Sequence, residues 1–156
     1  MNYQLDEIDK KILDFLVENT RMPFTEIAKQ MDVSAGTIHV RVKKMEDADI
    51  ILGSSLSIDY GKLDYHFTAF IGILLTKSNR TQEVLKELTT IPNVIEASVI
   101  TGKYNIFCKV RAKNTEDAKR IIYQIDDIHD VMRTESMISM EEYISDKNRL
   151  IDAVTI

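Results

Sequence analysis

Apolar residues recur at helical intervals as far as Ile50 and at strand-like intervals from Leu52 onward, so the chain changes character once, near residue 51. Leu5, Ile8, Ile12 and Leu16 fall three or four apart, with Asp6, Asp9 and Lys10 on the other faces. This predicts an amphipathic first helix with Asp6 as its cap or first-turn acid. The pattern breaks over Arg21 to Pro23, and a short second helix follows over Phe24 to Met31 with Ile27, Ala28 and Met31 turned inward. Asp32-Val33-Ser34 then forms a tight turn, Val33 plugging the core and Ser34 capping a third helix that runs to about Ala48. On that helix Ile38, Val42 and Met45 form the inward stripe, and Asp49 supplies a left-handed stop. Short helix, three-residue turn and longer helix is the helix-turn-helix arrangement, whose last helix enters the DNA major groove.

The second half reads as strand 65–77, helix 81–90, strand 94–101, strand 104–112, helix 115–127 and strand 131–143, a β-α-β-β-α-β order. Ala118, Ile121, Ile122, Ile125 and Ile128 make a continuous stripe on the second of these helices, with Asn114 as cap and Asp117 at the third position. In the strand before it Ile106, Cys108 and Val110 point one way, and Phe107 and Lys109 the other. Such a split βαβ topology puts both helices on one sheet face. Apolar residues on both sides of 67–75 mean that the other face, with Phe67, Ile71 or their neighbours, needs covering, and a second sheet from a homodimer partner is the expected cover. Leu52 to Asp59 reads as a linker strand, Asp59 to Lys62 as a turn, and Lys147 to Ile156 as an amphipathic tail through Leu150, Ile151 and Val154. The fold class is α+β, with a helix-turn-helix domain at 1–51, a linker at 52–63 and a sheet domain at 64–156.

The 156 residues are 44% hydrophobic and 29% charged, the profile of a globular protein, and carry a formal charge of -5. A molecule of that sign is no basic nucleic-acid coat, so any DNA affinity is local. It is local here. Ser34 to Met45 holds Arg41, Lys43 and Lys44 without a carboxylate, inside a first half where acids outnumber cations. Ala35 and Gly36 permit close approach of first-turn amides to a phosphate, and Thr37 and His39 reach toward base edges. The candidate DNA-binding set is therefore Ser34, Ala35, Gly36, Thr37, His39, Arg41, Lys43 and Lys44, against the plainer reading of an ordinary solvated face. The single cysteine, Cys108, excludes an intrachain disulfide and a cysteine-based zinc site. The longest apolar run, Ala69 to Leu75, falls far short of the ~20 residues of a membrane helix, and the acidic Leu5-Asp6-Glu7 start has no signal-peptide pattern. A cytoplasmic protein with no membrane partner, metal or cofactor is expected.

The residues resemble the Lrp/AsnC family of leucine-responsive, or feast/famine, transcription regulators over nearly the whole chain. Leu5-Asp6-Glu7-Ile8-Asp9-Lys10-Lys11-Ile12-Leu13 is similar to the family's opening helix, and Glu26-Ile27-Ala28 with Val33-Ser34 to its second helix and turn. Thr37-Ile38, Arg41-Val42, Lys44-Met45-Glu46 and Ile50-Ile51 resemble its recognition helix and exit, with Asp49 where the family usually has glycine. The resemblance implies a ferredoxin-like sensing module that pairs through its sheets, assembles into tetramers or octamers, and binds an amino acid effector. Thr101-Gly102-Lys103-Tyr104-Asn105 resembles the family's Gly-x-x-Asp loop, with Asn105 replacing a carboxylate that would hold a ligand's ammonium. By this resemblance Thr101, Gly102, Asn105, Thr134, Ser136 and Ile138 line an effector site, while Gly102 read alone is simply a hairpin turn.

The leading reading is a sequence-specific regulator of transcription that binds pseudo-palindromic double-stranded DNA as a dimer or higher oligomer and responds to an amino acid or related metabolite. One alternative is an enzyme similar to the siroheme decarboxylases, which share the two-domain resemblance, although His66 and His129 have no evident partner. The other is a sensor or assembly protein whose N-terminal helices bind protein instead of DNA.

Overall fold

The computed structural model describes residues 3–146 and 148–154. The chain divides into two compact units, one reaching Ser57 and taking in the residues from Ile144, the other running from Ile58 to Tyr143. Among the described residues no helix is long and apolar enough to cross a membrane.

The first unit is three helices, α1 (Glu7–Glu18), α2 (Phe24–Met31) and α3 (Ala35–Asp47). Two of the three, α1 and α3, begin at a side-chain cap. Asp6 accepts from the backbone N–H groups of Ile8 and Asp9 at 2.9 Å, and the Asp9 carboxylate accepts the Asp6 N–H at 3.1 Å, closing a capping box. Ser34 caps α3 through Thr37 N–H at 3.0 Å. Asp32, at φ 55 and ψ 45, makes the left-handed turn that ends α2. Asp49 (φ 56) ends α3 in a Schellman motif: Ile50 N–H donates to Met45 C=O at 2.9 Å and Asp49 N–H to Glu46 C=O at 3.0 Å. Ile12, Leu13, Ile27, Ala28, Ile38, Val42 and Met45 form the core, ringed by Leu5, Ile8, Leu16, Met31, Val33 and Ile50. Each fully buried Ile or Met contributes about 1.5–3 kcal/mol relative to exposure.

Several limits differ from the sequence reading. Ile151 packs on this helical core, so the chain beyond Tyr143 groups with the helices and the expected 64–156 domain ends early. The tail is a 3-10 turn, Arg149–Ala153, with Leu150 exposed, while Lys147, Thr155 and Ile156 of the expected tail lie outside the described residues. The segment read as a linker strand, Leu52 to Asp59, has no regular structure: Leu52 is 88% exposed, and a strand needs a ladder partner, which none of the described residues supplies.

The second unit opens with a 3-10 turn (Tyr60–Leu63) capped by Asp59, followed by β1 (Phe67–Leu75), α4 (Thr81–Leu88), β2 (Val94–Val99), β3 (Ile106–Ala112), α5 (Thr115–Asp126) and β4 (Val131–Ile138). The sheet is antiparallel in the order β2-β3-β1-β4, the ferredoxin-like arrangement. Strict alternation in β3 buries Ile106, Cys108 and Val110 together with Ile71 and Ile73 of β1, Val84 and Leu88 of α4, and Ile121 and Ile125 of α5. Both helices thus share one core on one sheet face.

That packing corrects the expectation for Ile71 and Phe67. Ile71 is 0% exposed beneath the helices, and Phe67 packs against the same core. The opposite face carries Phe70, Gly72 and Phe107, one residue out of phase, with the Phe70 and Phe107 rings stacked at 5.9 Å. Tyr104 lies over Gly72 so closely that a Cβ there would meet its ring at 2.7 Å. β4 stops at Ile138 rather than 143: Ser139 N–H makes a last bond to Thr68 C=O at 2.9 Å, and Glu142 then binds Lys109, and Arg111 at 2.6 Å, on that same face.

Candidate nucleic-acid interface

Because Ile38, Val42 and Met45 are buried, α3 presents its other side to solvent. Ser34, Gly36, His39, Val40, Lys43 and Lys44 are exposed, and Ala35, Thr37 and Arg41 are half-buried. At the start of the helix the Ser34 hydroxyl is engaged by Thr37, N–H at 3.0 Å and hydroxyl at 2.8 Å, so Ser34 serves the fold first. The amides of Ala35 and Gly36 stand in the first turn, where no intrahelical acceptor exists and the helix dipole favours an anion. A Cβ on Gly36 would meet only Ser34 Oγ at 3.7 Å, an ordinary contact. Nothing inside the unit requires glycine at this position.

Gly36, Thr37, Val40 and Lys44 line a shallow groove with Tyr3, Gln4, Asp6, Asp9 and Arg41. Lys44 forms no ion pair among the described residues, whereas Lys43 is held by Asp47 one turn on at 2.8 Å, and that hydrogen bond raises its pKa. His39 leans on the Phe24 ring, with centroids 5.9 Å apart. Val40, 52% exposed at the centre of this face, was not in the sequence-derived set. Its signal was available: an apolar residue out of phase with the buried stripe suits contact with a thymine methyl.

Arg41 is the correction. Its Nη1 donates to Asp6 Oδ1 at 2.9 Å, Asp6 Oδ2 at 2.7 Å and Asp9 Oδ1 at 2.8 Å, so the guanidinium is turned back onto α1 and does not share the outward direction of Lys43 and Lys44. The reason is its place beside Val42 at the edge of the buried stripe, where a long side chain reaches the neighbouring helix. Asp9, expected on an outer face, is 1% exposed. Its second oxygen accepts from Tyr3 Oη at 3.0 Å. The Asp9 N–H and then Arg41 hold the Asp6 carboxyl below its ordinary pKa, bonds to Asp6 and Asp9 raise that of Arg41, and burial followed by the Asp9 bond raises that of the Tyr3 phenol.

The residues expected to line an effector site divide between two places. Gly102, at φ 108 with open space around it, is the glycine that the β2–β3 hairpin turn needs, and Thr101 is exposed beside it. Asn105 bolts this hairpin to the end of β1: its N–H donates to Ile73 C=O at 2.9 Å, its Oδ1 accepts Leu75 N–H at 3.0 Å, and its Nδ2 donates to Ser78 Oγ at 3.2 Å. Thr134, Ser136 and Ile138 stand opposite Ile73, Ile71 and Ala69, on the helix side of edge strand β4. The Thr134 hydroxyl donates to Asp126 of α5 at 2.7 Å. No hydrogen bond joins the two groups among the described residues. The loop reaches β4 instead through Tyr104 and Lys103, each 2.6 Å from Glu135 Oε2 on the opposite face. Among the described residues no group of three His, Cys, Asp or Glu side chains could hold a metal ion.

Known proteins resemble this chain in both of its units. The AsnC-type helix-turn-helix domain matches residues 5–46, and the Lrp/AsnC ligand binding domain matches residues 68–149. The regulatory protein AsnC of Haemophilus influenzae is 39% identical over 143 residues, covering 91% of this chain and 95% of its own, and that of Escherichia coli K12 is 38% identical over 144 residues, covering 92% and 95%. The solved structure of E. coli AsnC superposes with a TM-score of 0.87 at 36% identity, covering 92% of this chain and 97% of its own. A Neisseria meningitidis transcriptional regulator, solved as a complex with L-Met, shares the fold with a TM-score of 0.87 at 20% identity, over 93% and 96% of the two chains. With both domain families matched in order and relatives of this identity along nearly its whole length, the chain belongs to the Lrp/AsnC family of transcription regulators and carries that family's DNA-binding helix-turn-helix domain.

Proposed function

We propose that the chain reads pseudo-palindromic DNA in the cytoplasm as a homodimer or higher oligomer, with α3 in the major groove. The observation that carries this reading is a helix with one face buried in its own unit and the other carrying Gly36, Thr37, His39, Val40, Lys43 and Lys44 without a carboxylate between them. Lys44 and Lys43 take phosphates, the Ala35 and Gly36 amides take another, and Thr37, His39 and Val40 meet base edges. Two copies put such helices about one helical turn, roughly 34 Å, apart on one side of the duplex. Selection of bound sequences from random DNA tests it: recovered half-sites of that spacing are expected, and recovery of no sequence overturns it. Lys44→Ala is expected to lower affinity and reduce the slope of log affinity against log salt by about 1.

An amino acid is the effector class we assign to the second unit. Supporting it are the match to a ligand binding domain and the L-Met carried by the Neisseria relative. Asn105 contributes by shaping the hairpin, since both ends of its amide already have partners. A panel of amino acids added during thermal unfolding should raise the midpoint with one member or a few; a flat response to all of them rejects this assignment.

A further inference from the structure

The contacts between α1 and α3 are of two kinds. Ile12 and Leu13 share a core with Ile38, Val42 and Met45, and apolar contact of this sort is strong but non-directional, so by itself it tolerates rotation and sliding of one helix on the other. The second contact is directional. A single guanidinium nitrogen of Arg41 meets three carboxylate oxygens, two from Asp6 and one from Asp9, at 2.7–2.9 Å. Asp9 is buried, and its remaining oxygen accepts Tyr3 Oη and the Asp6 N–H. The same Asp6 and Asp9 close the cap of α1, so the start of α1 and the middle of α3 are fixed to each other through one charge cluster. A DNA phosphate approaching Arg41 would meet those two carboxylates as well, which makes this the least favourable cation on α3 for a backbone contact.

Building on the DNA-reading function above, we propose that Asp9 and Arg41 are positioning residues: their ion pair sets the orientation of the exposed face of α3 against α1, and Arg41 itself touches no phosphate. Charge and geometry make opposite predictions for Asp9. Removing a negative charge from a DNA-binding unit tightens binding to any duplex by Coulomb attraction, whereas releasing α3 degrades sequence reading and leaves non-specific attraction in place.

The test uses the full chain, a duplex that the wild-type chain selects from random DNA, and an unrelated duplex, over a salt series well below the melting temperature. Asp9→Asn and Arg41→Ala are expected to lower affinity for the selected duplex at least tenfold, to change affinity for the unrelated duplex less than twofold, and to keep the wild-type salt slope. A merely destabilised unit would lose both affinities in proportion. If Arg41→Ala reduces the slope by about 1, as Lys44→Ala does, or if Asp9→Asn binds the selected duplex as tightly as wild type, the proposal is overturned. Should either variant fail to fold, Asp6→Asn, which retains an N-cap acceptor, decides by the same ratio: a fall supports positioning and an unchanged ratio rejects it. A wild-type chain that selects no duplex removes the DNA reading itself, an outcome distinct from a selective wild type with an unaltered Asp9→Asn.

Discussion

In the helical unit the charges of Asp6, Asp9 and Arg41 tie α1 to α3, and the exposed positions of α3 from Gly36 to Lys44 carry no carboxylate, the nearest being Glu46 and Asp47 in its last turn. In the sheet unit charges gather on the face opposite the helices, where Glu142 holds Lys109 and Arg111 and Glu135 receives Lys103, Tyr104 and Arg133. Both units have apolar cores without an unsatisfied buried side chain among the described residues. The difference lies in what the polar groups do. One unit uses them to orient a surface for an outside anion; the other lays them beside the Phe70–Phe107 stack and Tyr104, on a face that is aromatic as well as charged. A surface for a polyanion needs open cations, and a surface for apolar contact needs its cations already neutralised.

Core truncation should separate the units most strongly. Ile71→Ala empties a fully buried site under α4 and α5 and is expected to cost about 2–5 kcal/mol. Amide exchange should show the loss confined to 58–143, and protection lost equally in α1–α3 would mean that the two units unfold together.

Two glycines give a sharper contrast. Gly72→Ala drives a methyl into the Tyr104 ring and should cost about 1–3 kcal/mol as the ring lifts and its bond to Glu135 breaks. Gly36→Ala meets no such obstacle and should stabilise α3 by about 0.5–1 kcal/mol while weakening DNA binding, because the added methyl stands where the amides approach a phosphate. Denaturant titration of both variants checks the signs, and Gly36→Ala with tighter DNA binding would contradict the groove contact.

Acid affects both units in the same direction by different groups. The bond from Lys109 and the charge of Arg111 lower the pKa of Glu142, so its stabilising contribution is complete above its ordinary value of 4.5 and disappears as pH falls through the folded value. In the helical unit the lowered Asp6 behaves likewise. Glu142→Gln should therefore flatten part of the acid limb of sheet-unit melting without altering that of the helices. The smallest expected effect is at Cys108, whose thiol burial pushes up to about 12. At pH 8 a thiol reagent should react with it only as fast as the sheet unit opens.

Much of the helical candidate site was legible because it is local. The Ser34 cap, the Ile38-Val42-Met45 stripe and the exposed lysines all follow from spacing along one helix. Arg41 was not, because its partners lie 35 and 32 residues away and charge alone cannot distinguish a cation that faces DNA from one that faces another helix. The effector residues fared differently again. Periodicity places Thr134, Ser136 and Ile138 on one side of a strand, but whether Asn105 is free to hold a ligand depends on Leu75 and Ser78, which arrive from another element.

By itself the sequence determined the order of helices and strands, their caps and most of their limits, because hydrogen bonding and side-chain period act between residues a few positions apart. It also determined that cations concentrate on α3. Only the tertiary structure decided that Asp9 is buried, that Arg41 faces inward, that Ile71 lies beneath the helices, and that the chain after Tyr143 returns to the helical unit. Those outcomes depend on which distant groups packing brings within about 3 Å, and a linear pattern holds no such distances.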